Sequence, residues 1–308
     1  MIRPKLASLL AWLLTSQLTA ATLDVADIYP QPLVPADNPW SQAKATLGQQ
    51  LFHDTRLSVT GTVSCATCHQ PERHFTDGLT RAIGATGETH EFNTPTLYNA
   101  ALNSSLGWTD QGLTILAQQH LVPLLNTNPV EMGFHPDLVP ILRQDPDYAA
   151  AFRTVFGTTQ VGITQIAQAI ASYVRTLQPP VSRFDHYLFR DDQSALSKEE
   201  KQGMALFFSD RLGCATCHAN LTFSGPIRHA AEQAEPVFHV TSVSGETRAF
   251  RAPTLRQISQ TAPYMHDGSL PDLLAVIEHY ESVDVERVPD FRLTAAEREA
   301  LVAFLQSL

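Results

Sequence analysis

All four cysteines of this chain lie in two copies of one pentapeptide, Cys65–His69 and Cys214–His218, which both read Cys-Ala-Thr-Cys-His. In this spacing two thiols add to the two vinyl groups of one haem, and the adjacent histidine lies under the iron as its proximal ligand. A single copy would also fit a thiol redox motif, and a zinc site of four cysteines would leave both histidines unexplained. Two copies that use every cysteine predict two covalently bound c-type haems.

The segments around the two motifs repeat each other. Gly48 and Gly203 both begin the pattern Gly-x-x-Leu-Phe, with Arg-Leu at the same offset further on. Phe-Thr-Asp-Gly and Phe-Ser-Gly follow the motifs at 75 and 223, and Pro-Thr-Leu follows at 95 and 253. An internal repeat of this length indicates two related units. We predict an N-terminal haem domain over residues 22–180 and a C-terminal one over 181–308, joined at Pro179-Pro180.

The remaining pattern is helical. Apolar residues recur at helical spacing over Val161–Leu177, and Leu273–Tyr280 predicts a short helix after a turn. Capping boxes, Ser197-x-x-Glu200 and Thr294-x-x-Glu297, predict two further helix starts. No long stretch alternates as a strand would. The expected fold class is mainly α, with two tandem cytochrome c-like haem domains and long irregular loops.

Residues 1–21 have the three parts of a secretory signal peptide. Arg3 and Lys5 precede an apolar run over residues 6–18, and small residues follow at 19–21. A membrane anchor is the alternative, but a span needs roughly 20 apolar residues. We expect a periplasmic protein that does not span the membrane. The formal charge of −10 argues against a nucleic-acid partner.

The sixth iron ligand separates an electron carrier from a site that activates an oxidant. When Asp110 is aligned with Asp267, the residues thirteen positions later are Pro123 and Tyr280. Proline cannot bind iron, whereas tyrosine is an anionic oxygen donor. We therefore predict an open first haem on His69 and a second haem ligated by His218 and Tyr280.

Two residues near Pro123 are candidates for peroxide chemistry. Glu131 can move a proton between the two oxygens of a bound peroxide, and Gln119, one helical turn before Pro123, can hydrogen-bond in the same pocket. The alternatives are a surface carboxylate or helix cap for Glu131 and an ordinary half-buried aromatic for Tyr280.

Other residues compete for these roles. Met265, His266 and His279 are rival ligands of the second iron, and His90 is a candidate to cap the first iron in a resting form. The other histidines are interpreted as residues at the surface or behind a ligand: His120, His135, His229 and His239.

The chain resembles bacterial dihaem cytochrome c peroxidases and the related MauG enzymes along nearly its whole mature length. Besides the two haem motifs, the resemblance is carried by Asn93–Leu97, Gly107-Trp108, Asn128–Gly133 and Arg251–Ser269. Tyr280 occupies a position where ordinary dihaem peroxidases have methionine and MauG has tyrosine. Within the MauG branch, Val34–Pro39 and Leu206–Ser209 are similar to the MbnH-type dihaem enzymes.

This resemblance implies further roles. Trp108 lies between the haems and passes charge between them, and His266 has a structural or electronic role. Asn93, with the backbone carbonyls of Thr261 and Pro263, holds a calcium ion, whose ligands are oxygens of these kinds.

The resemblance also implies a reaction. Hydrogen peroxide would drive the oxidation of tryptophan to kynurenine on an exported, MbnP-like partner, with Arg228–Thr247 as a variable contact loop. Two alternatives stay open. One is a dihaem peroxidase that takes electrons from a small c-type cytochrome, and the other is a dihaem electron-transfer protein without chemistry of its own.

Overall fold

The computed structural model describes residues 23–24, 28–109, 112–133, 137–229, 232–233, 238–243, 246–283 and 291–308. The predicted signal peptide, Asp110 and His135 lie outside these residues. The fold is mainly helical, as predicted, with long irregular connections. The helices are α1 (Gln42–His53), α2 (Cys65–Cys68), α3 (Leu116–Leu125), α4 (Leu138–Gln144), α5 (Pro146–Phe156), α6 (Ile163–Val174), α7 (Arg183–Phe189), α8 (Lys198–Phe207), α9 (Cys214–Cys217), α10 (Leu273–Tyr280) and α11 (Ala295–Leu305).

Local sequence patterns set several helix bounds. Helix α10 has the predicted limits, and α6 lies inside the predicted 161–177 segment. Both capping boxes form: the Ser197 hydroxyl accepts from the N–H of Glu200, and the Thr294 hydroxyl accepts from the N–H of Glu297. These side chains satisfy N–H groups that have no partner within the first turn of a helix.

The sequence did not predict the strands. Strands β1 (Arg228–His229) and β2 (Glu232–Gln233) form one antiparallel pair, and β3 (Phe238–Val243) and β4 (Glu246–Arg251) form another. In the longer pair Phe238 lies opposite Arg251. The proposed contact loop, Arg228–Thr247, therefore contains strands wherever its backbone is described.

Among the described residues, the hydrophobic core contains two large clusters and a small third one of Ile28, Tyr29 and Leu102. The first is built from residues between Leu47 and Leu177, where α1 packs on α6. The second is built from residues between Phe184 and Leu308, where α8 packs on α11. The predicted division at residue 180 falls between the two large clusters, and we retain it as a proposal.

The repeated glycines lie where the paired helices cross. A Cβ on Gly48 would overlap the carbonyl oxygen of Ala169 in α6, and a Cβ on Gly203 would overlap that of Ala300 in α11. Both helix pairs approach so closely that only glycine fits at the contact. In the described part of the chain, no helix combines the length and the apolar character needed to cross a bilayer.

The Gly48→Ala substitution tests this helix contact. Because the added methyl meets backbone rather than a movable side chain, we expect a loss of at least about 1–3 kcal/mol in the free energy of unfolding. Denaturant titration of the haem-loaded protein measures it. Thr46→Ala, on the exposed face of the same helix, should stay within about 0.5 kcal/mol of the wild type. Equal stability of the two variants would contradict the close contact.

Candidate active site

The two Cys-x-x-Cys-His motifs place their histidines in the same way. Nδ1 of His69 lies 3.0 Å from the carbonyl oxygen of Phe75, and Nδ1 of His218 lies 2.9 Å from that of Phe223. A carbonyl only accepts hydrogen bonds, so Nδ1 carries a proton in both rings, and in the neutral ring Nε2 is the unprotonated nitrogen. This is the tautomer that binds a metal through Nε2.

Each phenylalanine carbonyl is aimed by an unusual backbone turn. Phe75 has φ of 61° and Phe223 has φ of 52°, in the left-handed region that non-glycine residues rarely occupy. A threonine from the repeated Pro-Thr-Leu segment fixes the turn in each half. The Thr96 hydroxyl donates to the carbonyl of His74 (2.7 Å), and the Thr254 hydroxyl donates to that of Thr222 (2.6 Å).

The cysteines do not resemble a thiol redox or zinc site. Burial is the largest factor that raises the pKa of Cys65 to about 12 and that of Cys68 to about 11, so both thiols are protonated near neutral pH. All four cysteines lie in the described residues, and none of them forms a disulfide. Among the described residues, no group of three or more His, Cys, Asp or Glu side chains is placed to hold a metal ion. Each thiol pair lies beside its own imidazole, in the tautomer that binds a metal, and two such sites fit two haems.

A cavity of about 500 Å³ lies against the first motif, within the size range of cofactor sites. Its wall contains Cys65, Cys68 and His69. It also brings together the four residues for which the sequence analysis predicted catalytic roles: Trp108, Gln119, Pro123 and Glu131. The sequence-predicted first site is therefore one continuous space.

Two polar groups in this wall lack a matching partner. Oε1 of Gln119 is buried and has no hydrogen-bond partner among the described residues. Among the described residues, the guanidinium of Arg251, from the second half of the chain, donates to two backbone carbonyls, those of Gly107 (3.4 Å) and Ala252 (3.0 Å), and to no carboxylate. Burial lowers the pKa of Arg251 to about 10. A buried guanidinium without a carboxylate fits a ligand that brings carboxylates of its own, as a haem does with its propionates.

Glu131 is held over the first motif by its backbone. The N–H of Met132 donates to the carbonyl of Pro123 in α3 (3.0 Å), and the carbonyl of Glu131 accepts from the N–H of Ala85 (2.7 Å). Burial raises the pKa of the Glu131 carboxyl, and the nearby His90 lowers it. Its negative charge contributes to the raised pKa of the Cys65 thiol, which places the carboxylate on the side of the haem motif.

The wall also contains histidines to which the sequence analysis gave other roles. His120, interpreted as a residue at the surface or behind a ligand, lines the cavity next to Gln119, and burial lowers its pKa to about 4, so its ring is neutral. His90 lines the same cavity and faces Glu131, with Nδ1 3.8 Å from Oε1.

Tyr280, the last residue of α10, is partly buried beside the second haem motif. Burial and then the nearby Cys217 and Cys214 raise its pKa to about 12. The rival candidates lie in other settings. His266 stacks on Phe250 at 4.1 Å between ring centroids, and Met265 lies in a turn with φ of 72°. His279 is adjacent to Tyr280 on the same helix.

Trp108 lies where the two halves of the chain meet. Its Nε1 donates to the carbonyl of Asn93 (3.1 Å), and its own carbonyl accepts from the N–H of Arg251 (2.9 Å). The N–H of Asn93 donates to the carbonyl of His266 (2.7 Å), and its side-chain amide donates to that of Leu79 (2.8 Å). Asn93 therefore lies next to the segment that contains Thr261 and Pro263. The calcium site at these three residues stays a prediction.

Comparison with known proteins identifies a family and several relatives that are similar to this chain. A family model described as di-haem cytochrome c peroxidase matches residues 42–194. The chain is 36% identical to the methylamine utilization protein MauG of Methylophilus methylotrophus, covering 92% of this chain and 86% of that protein. It is 32% identical to the cytochrome c551 peroxidase of Nitrosomonas europaea, covering 98% and 90%.

A solved structure is similar over nearly its whole length. The crystal structure of a MauG-like protein associated with microbial copper homeostasis superposes with a TM-score of 0.85 at 33% identity, covering 94% of this chain and 95% of that one. The chain therefore belongs to the family of MauG and the di-haem cytochrome c peroxidases.

Proposed function

We propose that this protein uses hydrogen peroxide at an open first haem to oxidise a tryptophan side chain, to kynurenine, on an exported partner protein. Membership of the family implies two c-type haems and a peroxidase-like oxidoreductase activity. The observation that carries the finer proposal is the asymmetry of the two halves. The cavity at the first motif has Pro123 and Glu131 in its wall, whereas the phenol of Tyr280 lies beside the second motif.

The proposed cofactor attachment follows the two motifs. Cys65 and Cys68 hold the first haem with His69 as the proximal ligand. The second haem is held by Cys214 and Cys217, with His218 and Tyr280 as axial ligands. When bound, the haems supply an iron that takes peroxide and the two electrons that O–O cleavage requires.

The chain's own residues handle the proton. Glu131 accepts a proton from one peroxide oxygen and returns it to the other, which leaves as water. The unpaired Oε1 of Gln119 accepts a hydrogen bond from the peroxide and orients it. Pro123 cannot ligate iron and would leave room for peroxide in the cavity. His120 remains neutral and adds no charge to the cavity.

Tyr280 supports storage of oxidising equivalents at the second haem. A phenol with a pKa raised to about 12 ionises only where a cation compensates its charge, and ferric iron supplies that charge. An anionic oxygen ligand stabilises the more oxidised iron. Trp108 lies at the junction of the halves, where it can pass charge between the haems. Oxidation at a distance suits a protein substrate that reaches neither iron.

Several secondary proposals accompany this function. Export through residues 1–21 would place the protein in the periplasm with its partner, and the calcium ion at Asn93, Thr261 and Pro263 would hold the two halves together at the junction next to Trp108.

A dihaem peroxidase that takes electrons from a small c-type cytochrome is the second candidate. Two observations favour it: the 32% identity to a cytochrome c551 peroxidase, and a formal charge of −10, which suits a basic electron donor. This reaction would use the same first site. It differs in that a small c-type cytochrome, rather than a tryptophan side chain, would supply the electrons that peroxide consumes. A protein that only transfers electrons does not require an open cavity with a carboxylate in its wall.

Electron paramagnetic resonance of the diferric protein tests the asymmetry. We expect one high-spin signal from the open first haem and one low-spin signal from the second. Glu131→Gln should keep both signals but slow the reaction with peroxide by about 10²–10⁴-fold, the usual contribution of a positioned acid–base group. Glu72→Gln, on the surface of the same half, should react as the wild type does. Two low-spin signals in the active protein would contradict the open site.

Replacement of Tyr280 tests the second site and the substrate together. We expect Tyr280→Phe to retain both haems, to lose the low-spin signal and to lose partner oxidation, because the anionic ligand is gone. Mass spectrometry of the partner, incubated with peroxide and the enzyme, checks for conversion of tryptophan to kynurenine. Tyr187→Phe, away from the motif, is the control. An unmodified partner together with rapid oxidation of a reduced c-type cytochrome would assign the protein to the second candidate function.

A further inference from the structure

Both ring nitrogens of His90 face the two-residue segment Val130-Glu131. Nδ1 is 3.8 Å from the carboxylate oxygen Oε1 of Glu131, and Nε2 is 3.5 Å from the carbonyl oxygen of Val130. The imidazole is 11% exposed and the carboxylate 35%. The first distance is that of an ion pair, and rotation of the half-exposed carboxylate can shorten it to a hydrogen bond. Catalytic hydrogen bonds are often long before substrate binds.

A short hairpin over residues 82–92 fixes this arrangement. The N–H of His90 donates to the carbonyl of Ala82 (2.8 Å), which closes the hairpin. Gly84 packs so closely on the opposite segment that a Cβ would overlap the carbonyl oxygen of Val130. The N–H of Val130 donates to the carboxylate of Glu88 (2.9 Å). The hairpin thus fixes the position of His90 relative to the Val130-Glu131 segment.

The contact with Val130 determines where protons can lie. A carbonyl oxygen accepts only, so Nε2 of His90 must carry a hydrogen. Nδ1 then has two states that place a proton between it and Glu131. It is either protonated, facing an ionised carboxylate, or unprotonated, facing a protonated carboxyl that donates to it. Both states contain one proton between Nδ1 and Oε1, and they have the same total charge.

We propose that His90 and Glu131 share one proton, and that His90 is a positioning residue that keeps Glu131 ionised and available as the base for peroxide. This inference rests on the proposed reaction at the first haem. It also assigns His90 to Glu131 rather than to the iron. Without His90, the partly buried carboxyl of Glu131 would have a higher pKa and would be less available as a base.

The protons and electrons of the proposed reaction then balance. With the shared proton on His90, Glu131 would be able to take the proton of one peroxide oxygen. Glu131 passes it to the other oxygen, the O–O bond breaks, and that oxygen leaves with the electron pair as water. The bound haems supply the two electrons that the remaining oxygen requires. His90 keeps its proton throughout and acts through Glu131.

Other charged groups face the pair from the surrounding elements. Glu88 on the hairpin is bonded to the N–H of Val130, and Glu91 is ion-paired with Arg248 of β4. Across the cavity, His120 is neutral because of its burial, and Arg251 carries a positive charge. Within the described part of the chain, His90 is the group whose charge lowers the pKa of the Glu131 carboxyl.

Infrared titration of the diferric protein tests the shared proton without peroxide. The band of a protonated Glu131 carboxyl is identified by its loss in Glu131→Gln. His90→Asn keeps a neutral donor near Nδ1, and His90→Gln keeps one near Nε2, but neither side chain takes up a proton. In both variants we expect the midpoint of the Glu131 band to rise by about 1–3 pH units, the usual effect of a lost opposite charge at this distance. His53→Gln, an exposed change in α1, should leave it unchanged.

Stopped-flow measurement of the peroxide reaction gives the second readout. The same upward shift should appear in the pH profile of the rate in both His90 variants, while the high-spin signal of the first haem stays unchanged. Unshifted midpoints in both variants would overturn the inference, and so would a change of spin state at the first haem, because His90 would then be an iron ligand. If the His90 variants show the infrared shift but the wild-type protein does not react with peroxide, the shared proton would be supported and the proposed function overturned.

Discussion

Each haem motif depends on one hydrogen bond, from Nδ1 of its histidine to the carbonyl of a phenylalanine a few residues later. Without it, the imidazole could turn or change tautomer, and Nε2 would not be a defined ligand. The acceptor is available because Phe75 and Phe223 adopt a left-handed backbone conformation, which costs on the order of 1–3 kcal/mol. Burial of both rings in the two cores and the hydroxyls of Thr96 and Thr254 offset that cost. The repeated Phe and Pro-Thr-Leu patterns therefore act together to position the histidine of each haem motif.

The features that sequence predicted well are those decided by neighbouring residues. The capping boxes at Ser197 and Thr294 and the bounds of α10 follow from side chains within one turn of the helix. The repeated glycines could be recognised from their spacing, although their purpose required the structure. Gly48 and Gly203 meet helices more than ninety residues away, and no local pattern identifies the backbone that they touch.

The features that sequence missed depend on distant contacts. The proximity of His90 to Glu131 could not be predicted from the sequence, because it arises from the packing of two loops. His120 shares a helix with Gln119, and its place in the cavity wall could have been inferred from that spacing. The β3–β4 hairpin had a weak signal in its Val and Thr content and in the Ser-Gly pair between the strands. Nothing in the sequence indicates that Arg251, at the end of β4, reaches the first cavity.

The two halves share a helix crossing, a haem motif and the turn that orients its histidine, and they differ in other residues near each motif. Gly48 and Gly203 set equivalent helix crossings. In the proposed function, the difference in chemistry comes from residues that the halves do not share, Pro123 and Glu131 in one half and Tyr280 in the other. The first cavity also takes Arg251 from the second half, whose backbone N–H binds the carbonyl of Trp108. A buried cation is costly unless a counter-charge reaches it. The wall of the first cavity is thus complete only when the halves are docked. In the proposed function, this links the first site to the junction at Trp108 through which charge would pass.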